Sequence, residues 1–153
     1  MRVCDFLKED RIIMELKSTE KKSAISEIAA LLEGAEEIID FNRFLSDIEA
    51  RENLGTTAIG NYAAIPHART DSVKKFVIAF GRSKEGIEFG AVDGKPAKLI
   101  FVMGTPREEG LNDYLRILAH LTRILQKEAF RNELLKAESP SEIIASFQKY
   151  EMR

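Results

Sequence analysis

The sequence predicts an α/β domain: a mixed sheet with helices on both faces. Three observations predict it. Two apolar runs, Phe76-Val77-Ile78-Ala79-Phe80 and Lys98-Leu99-Ile100-Phe101-Val102-Met103, lack polar alternation, as central strands covered on both faces require. Amphipathic helical patterns stand before and after them, so helices, a strand cluster and helices follow in turn. A length of 153 residues, with 44% hydrophobic and 31% charged side chains, suits a single domain spanning 1–153 with a substantial core. No internal repeat or long linker divides it.

The elements follow in order. Arg11 to Leu16 reads as a first strand. Ser18 and Thr19 offer N-cap oxygens to a helix whose apolar positions are Ile25, Ile28, Ala29, Leu31 and Leu32, and Gly34 suits its C-terminal end. Asp40 can cap a second helix, with Phe41, Phe44, Leu45 and Ile48 at helical spacing, that runs out near Asn53. Thr56 to Ile59 and Tyr62 to Ile65 are short strand-like segments bounded by glycines and Pro66. Asp93-Gly94, between Phe89 and Leu99, signals a hairpin, so part of the sheet is expected to be antiparallel. Gly104 to Gly110 reads as a turn leading into a helix. Helices cover Leu111 to Gln126 and Phe130 to Lys136, and the last begins at the capping box Ser139-Pro140-Ser141-Glu142.

Composition excludes several classes. A net charge of −2 argues against a nucleic-acid binder, which shows a basic stripe. No apolar run approaches the roughly 20 residues of a membrane span. The start of the chain is not a signal peptide, because charges interrupt it, so a cytoplasmic location is expected. The single cysteine, Cys4, allows no internal disulfide and no multi-cysteine zinc site. No ligand spacing supports a metal site on the two histidines, His67 and His120.

The chemistry concentrates in Gly60-Asn61-Tyr62-Ala63-Ala64-Ile65-Pro66-His67-Ala68-Arg69-Thr70. Neutral imidazole is a nucleophile toward phosphorus, and an ordinary pKa of ~6.5 leaves His67 largely unprotonated at neutral pH. One ring nitrogen must be fixed by a hydrogen bond for the other to react, and a backbone carbonyl can supply it. Arg51 is the natural phosphate clamp, since a guanidinium fork matches phosphoryl oxygens; it also suits the end of a helix by charge alone. Thr57, Arg69 and Thr70 can supply further donors or serve only as strand and turn residues. On the late helix, Asp113, Arg116, His120, Arg123 and Lys127 form a polar stripe. Leu111, Tyr114, Leu115, Leu118, Leu121 and Leu125 are expected to form the buried face.

Arg51-Glu52, Gly55-Thr56-Thr57, Gly60 and Ala64-Ile65-Pro66-His67-Ala68-Arg69-Thr70 together resemble the signature of enzyme IIA of the fructose/mannitol class, a component of the bacterial phosphoenolpyruvate-dependent sugar phosphotransferase system. The likeness continues through Gly86-Ile87-Glu88-Phe89, Asp93-Gly94-Lys95-Pro96, Tyr114-Leu115 and Ser139 to Ile143. It implies a mixed, mostly five-stranded sheet. It also implies that His67, through Nε2, accepts a phosphoryl group from the phosphocarrier HPr and passes it to a cysteine of enzyme IIB. Arg51 would be the active-site arginine, with Thr57, Arg69 and Tyr114 in support. No metal or cofactor is implied, and a membrane would be met only indirectly, through enzyme IIC. One departure stands out. The family usually places a second active-site histidine where this chain has Tyr114, so that tyrosine either donates to a phosphoryl oxygen or packs in the core. Two rival functions remain open: a nitrogen-type regulator acting by phosphorylation-dependent protein binding, and a binding module that has lost the transfer chemistry.

Overall fold

A computed structural model describes residues 1–108 and 111–152. Its strands are β1 (Ile12–Ile13), β2 (Ala58–Gly60), β3 (Ala63–Ala64), β4 (His67–Thr70), β5 (Val77–Ile87) and β6 (Ala97–Pro106). Its α-helices are α1 (Lys21–Ala29), α2 (Phe41–Leu54), α3 (Leu111–Leu125), α4 (Glu128–Lys136) and α5 (Pro140–Glu151). The sheet is mixed and runs β1-β5-β6-β3-β2, with β4 also on β6 beyond β3. β5 and β6 pair antiparallel, whereas β1–β5, β3–β6 and β4–β6 are parallel. Six strands stand where five were expected, because His67–Thr70 makes its own ladder with Met103 to Pro106 rather than a turn.

The two apolar runs lie at the centre, as their lack of alternation requires. Along β5 and β6 successive side chains serve opposite faces. Ile78, Phe80, Leu99, Phe101 and Met103 join one core with α3, α4 and α5, including Ile117, Leu121, Phe130 and Phe147. Val77, Ala79, Ile100 and Val102 join the other core with Ile25, Ile28, Phe44 and Ile48 of α1 and α2. Gly104 lets α2 sit close: a Cβ there would stand 2.5 Å from the Phe44 ring. The Thr70 hydroxyl donates to Asp47 at 2.5 Å and ties β4 to α2. That contact fixes the helix carrying Arg51 against the strand carrying His67.

Several expectations need correction. The first strand is only Ile12–Ile13, since Arg11 turns away to form a bidentate pair with Glu37 at 2.7 and 3.0 Å. Ser18 does not cap α1. Glu20 occupies the N-cap without a side-chain bond, while the Ser18 amide and hydroxyl both donate to Glu27. Asp40 and Ser139 do cap their helices, accepting from the amides of Arg43 and Glu142. On α3 the buried positions are Ile117, Leu121, Ile124 and Leu125, while Leu111 and Leu115 are exposed. The helix is docked by its C-terminal half, so its first turns project past the core. His120 is not a free surface residue, because its Nε2 lies 2.6 Å from a carboxylate oxygen of Glu151. The turn expected from Gly104 does not begin there, because Gly104, Thr105 and Pro106 continue β6 and pair with β4; residues 109–110 of that expected turn lie outside the described residues.

Candidate functional site

The stretch 65–67 has a local logic. Proline fixes its own φ and drives the preceding residue to an extended conformation. The segment is anchored on both sides: the Ile65 amide donates to the Thr57 carbonyl at 3.1 Å, and the Pro66 carbonyl accepts from the Met103 amide at 3.0 Å. The Ile65 carbonyl is then held 2.6 Å from Nδ1 of His67. A carbonyl oxygen can only accept, so Nδ1 carries the proton. In a neutral ring that leaves the lone pair on Nε2. The tautomer is thereby assigned from the backbone.

His67 is 8% exposed. Burial pushes its imidazole below the ordinary range, and the charge of Arg51 acts in the same direction. The bond to Ile65 and the charge of Glu52 oppose that shift without cancelling it. The ring is therefore held neutral, which a nucleophilic nitrogen needs.

Arg51 stands in the last turn of α2, with its Nη1 donating to the Gly55 carbonyl at 2.9 Å. Its charge reaches both the His67 and Tyr114 rings. Arg69, on β4, donates through Nε to the Arg107 carbonyl at 3.1 Å, and its charge also reaches Tyr114. Neither guanidinium forms an ion pair with a carboxylate among the described residues. Tyr114 projects from the first turn of α3 against His67, with ring centroids 5.5 Å apart and planes at 57°. Burial pushes its hydroxyl above the ordinary phenol range, so it remains a protonated donor, although Arg51 and Arg69 pull the other way.

Four of the five predicted residues thus converge. Thr57 is buried nearby, but its hydroxyl proton goes to Glu52 at 2.5 Å, so it is not a free donor to a phosphoryl group. Ile65 is buried. Tyr62 lies at the far end of β3, with Lys95 and Lys98 over its ring at 5.2 and 5.3 Å. Glu52 was missed as a functional residue. The signal was available: Phe44, Ile48 and Glu52 recur every four residues, which places the carboxylate on the buried stripe of α2. No cluster of His, Cys, Asp and Glu among the described residues is arranged to hold a metal ion.

The family model for the phosphoenolpyruvate-dependent sugar phosphotransferase system, EIIA 2, matches residues 5–150. The chain belongs to this EIIA family. It is 42% identical over 128 residues to a fructose-specific EIIA component of Haloferax volcanii, covering 84% of this chain and 82% of that protein. It is 38% identical over 144 residues to a fructose-specific EIIABC component of Bacillus subtilis, covering 94% of this chain but only 22% of that longer protein. Among solved structures, the nitrogen regulatory protein IIA-Ntr of Neisseria meningitidis superposes with a TM-score of 0.88 at 32% identity, covering 95% of this chain and 98% of that one. The EIIA membership accounts for the mixed sheet and the helices on both of its faces.

Proposed function

We propose that this EIIA domain is a histidine phosphocarrier of sugar uptake: His67 takes a phosphoryl group from phospho-HPr and delivers it to a cysteine of enzyme IIB. The observation that carries this reading is the Nδ1–H bond to Ile65, which leaves the Nε2 lone pair without a partner among the described residues, with the Arg51 charge acting on the ring and Arg69 acting on its neighbour Tyr114. In the first step the Nε2 lone pair bonds to phosphorus while the donor N–P bond breaks, and the donor imidazole leaves with that electron pair. His67 keeps its Nδ1 proton, so the phosphorylated ring carries positive charge and remains a good leaving group. In the second step a cysteine thiolate forms the S–P bond, the N–P bond breaks, and His67 returns to its neutral tautomer. Arg51 and Arg69 neutralise the transferring phosphoryl oxygens, Tyr114 donates one further hydrogen bond, and Thr57, held by Glu52, supports the site through its carbonyl bond to Ile65. Positioning and charge neutralisation are most of what phosphoryl transfer demands.

The domain works in the cytoplasm and reaches a membrane only through enzyme IIC. No helix among the described residues is long and apolar enough to cross one. The EIIABC name of the Bacillus relative supports partners of the B and C kind.

The test is incubation with phosphoenolpyruvate, enzyme I and HPr. Intact-mass analysis and peptide mapping follow, under alkaline conditions that preserve phosphohistidine. One acid-labile phosphoryl group on His67 is expected. No added mass, with a working positive control, sinks the reading.

The likeness to IIA-Ntr favours a second reading, in which phosphorylation of His67 switches binding to other proteins. Passage of the phosphoryl group to a IIB cysteine favours transport. A stable phosphoprotein that donates to no IIB favours regulation.

A further inference from the structure

Glu52 is 6% exposed, yet both of its carboxylate oxygens are used. Oε2 accepts the Thr57 amide at 2.9 Å and lies 2.9 Å from Nζ of Lys21, at the start of α1. Oε1 accepts the Thr57 hydroxyl at 2.5 Å. Thr57 then holds Ile65 by a carbonyl–amide bond of 3.1 Å. Ile65 in turn holds Nδ1 of His67 at 2.6 Å. On the other side of the same turn, Arg51 grips the Gly55 carbonyl at 2.9 Å. Neighbouring residues of one helix thus clamp residues 55–57 from two directions, and only the Glu52 arm continues by hydrogen bonds to the reactive ring.

A buried carboxylate is costly unless it is paired and its oxygens are satisfied. An apolar residue at position 52 would fill the space next to Ile48 without that cost, so packing alone does not explain the charge. What the carboxylate supplies is two directed acceptors for a single residue. Those acceptors fix Thr57, and with it the strand pairing that aims the Ile65 carbonyl.

We propose that Glu52, charge-balanced by Lys21, is a positioning residue that holds His67 in its Nδ1–H tautomer through Thr57 and Ile65. The proposal rests on the phosphocarrier reading for its kinetic consequence, but the tautomer is read in the unphosphorylated protein with no donor present. The experiment is long-range proton–nitrogen correlation of the His67 ring in ¹⁵N-labelled protein, paired with phosphorylation kinetics from phospho-HPr. Wild-type protein is expected to show one neutral form, protonated at Nδ1. Glu52→Ala and Thr57→Val should shift both ring nitrogens toward the average of two tautomers. They should also lower the rate at saturating donor by about tenfold, with the KM for phospho-HPr unchanged, because a misplaced ring slows the chemistry without altering docking. Glu52→Gln keeps an acceptor for the amide and a polar partner for the hydroxyl, so it should restore wild-type ring shifts and most of the rate. A cooperatively folded Glu52→Ala protein with wild-type ring shifts and rate would overturn the proposal. If Glu52→Ala does not fold, the near-isosteric Thr57→Val decides on the same readouts. A wild-type protein that HPr never phosphorylates defeats the phosphocarrier reading instead, and the ring shifts still judge Glu52.

Discussion

The chain has two histidines, and their surroundings are opposite. His67 gives one nitrogen to a neutral carbonyl and keeps the other free. His120 has both nitrogens engaged: Nε2 meets Glu151 at 2.6 Å, and Nδ1 lies 3.3 Å from a guanidinium nitrogen of Arg123. Charge differs as sharply. Two guanidiniums act on the His67 and Tyr114 pair, whereas the His120 partner is a carboxylate whose side chain is fully buried. A nucleophilic imidazole needs an uncharged second-side partner and nearby cations for the group it receives. A structural imidazole serves best when every ring atom is tied down. Burial does not separate the two roles; the partner on the second nitrogen does.

The contrast breaks most completely under His67→Ala and His120→Ala. Loss of His67 should abolish phosphorylation, a drop beyond about 1,000-fold, because the proposed transfer forms its N–P bond at this ring. Loss of His120 should leave the phosphorylation rate within about twofold while lowering stability, since it removes a partner from a buried carboxylate. Parallel phosphorylation assays and thermal melts of the two variants check this. Phosphorylated His67→Ala protein would place the acceptor elsewhere.

The Glu151 side of the comparison should be nearly as large, but it should register in stability. Glu151 accepts from the Val3 and Cys4 amides at 2.6 and 2.9 Å and from His120, clasping the N-terminal turn to α5 and α3. Burial works to raise its pKa, yet these bonds together hold the carboxyl below the ordinary range. Glu151→Ala leaves two amides without partners and should cost about 2–4 kcal/mol in denaturant unfolding. Because the folded pKa is depressed, this stabilisation is present above the ordinary glutamate range and lost as pH falls through the folded value. An unchanged unfolding midpoint would mean that the clasp contributes nothing net.

Acid should act on His67 as well, with the sign set by its lowered pKa. In the proposed transfer the neutral ring is the nucleophile, so the rate should be flat through neutral pH. It should fall about tenfold per unit only below the ordinary imidazole range. Single-turnover phosphorylation across the acid range measures it. A rate that halves near the unperturbed histidine pKa would show that burial does not hold the ring neutral.

Arg51→Ala should follow, slowing transfer by about 10- to 100-fold without unfolding the domain. The residue is only half-buried, and its Nη1 bonds a turn carbonyl rather than a carboxylate. Arg51→Lys should recover part of the loss, since a point charge replaces the fork.

How much of this was legible in the sequence depends on whether the signal was local. The central strands and the Asp40 and Ser139 caps are local patterns, and each stands where it was read. The strand at His67–Thr70 was read as a turn because its pairing is with residues 103–106, a long-range event that four residues cannot announce. The α3 face was misjudged because periodicity gives a stripe but not where along the helix the core ends. Leu111 and Leu115 lie on the stripe, yet they are 49% and 52% exposed. His120 was read as solvated because its partner, Glu151, arrives from the far end of the chain. Glu52 hid in a motif where a charge next to Arg51 reads as surface, although its four-residue spacing from Ile48 placed it inward.

The smallest expected effect concerns Tyr114, and it sharpens the meaning of the missing second histidine. The tyrosine ring packs beside His67, and burial holds its hydroxyl protonated, so it can offer one neutral hydrogen bond and no charge. A neutral hydrogen bond contributes about 1 kcal/mol, so Tyr114→Phe, which keeps the ring contact, should slow transfer only about three- to tenfold. Tyr114→His installs a ring that can carry charge, and a second ionisation should then enter the pH–rate profile beside that of His67. A Tyr114→Phe protein as fast as wild type would reduce Tyr114 to packing and leave Arg51 and Arg69 as the whole of the phosphoryl clamp. A loss beyond tenfold would instead mean that the hydroxyl donates to an oxygen that bears much of the developing charge. The chain would then have exchanged a titratable donor for a fixed one and gained transfer that does not switch with pH through the neutral range.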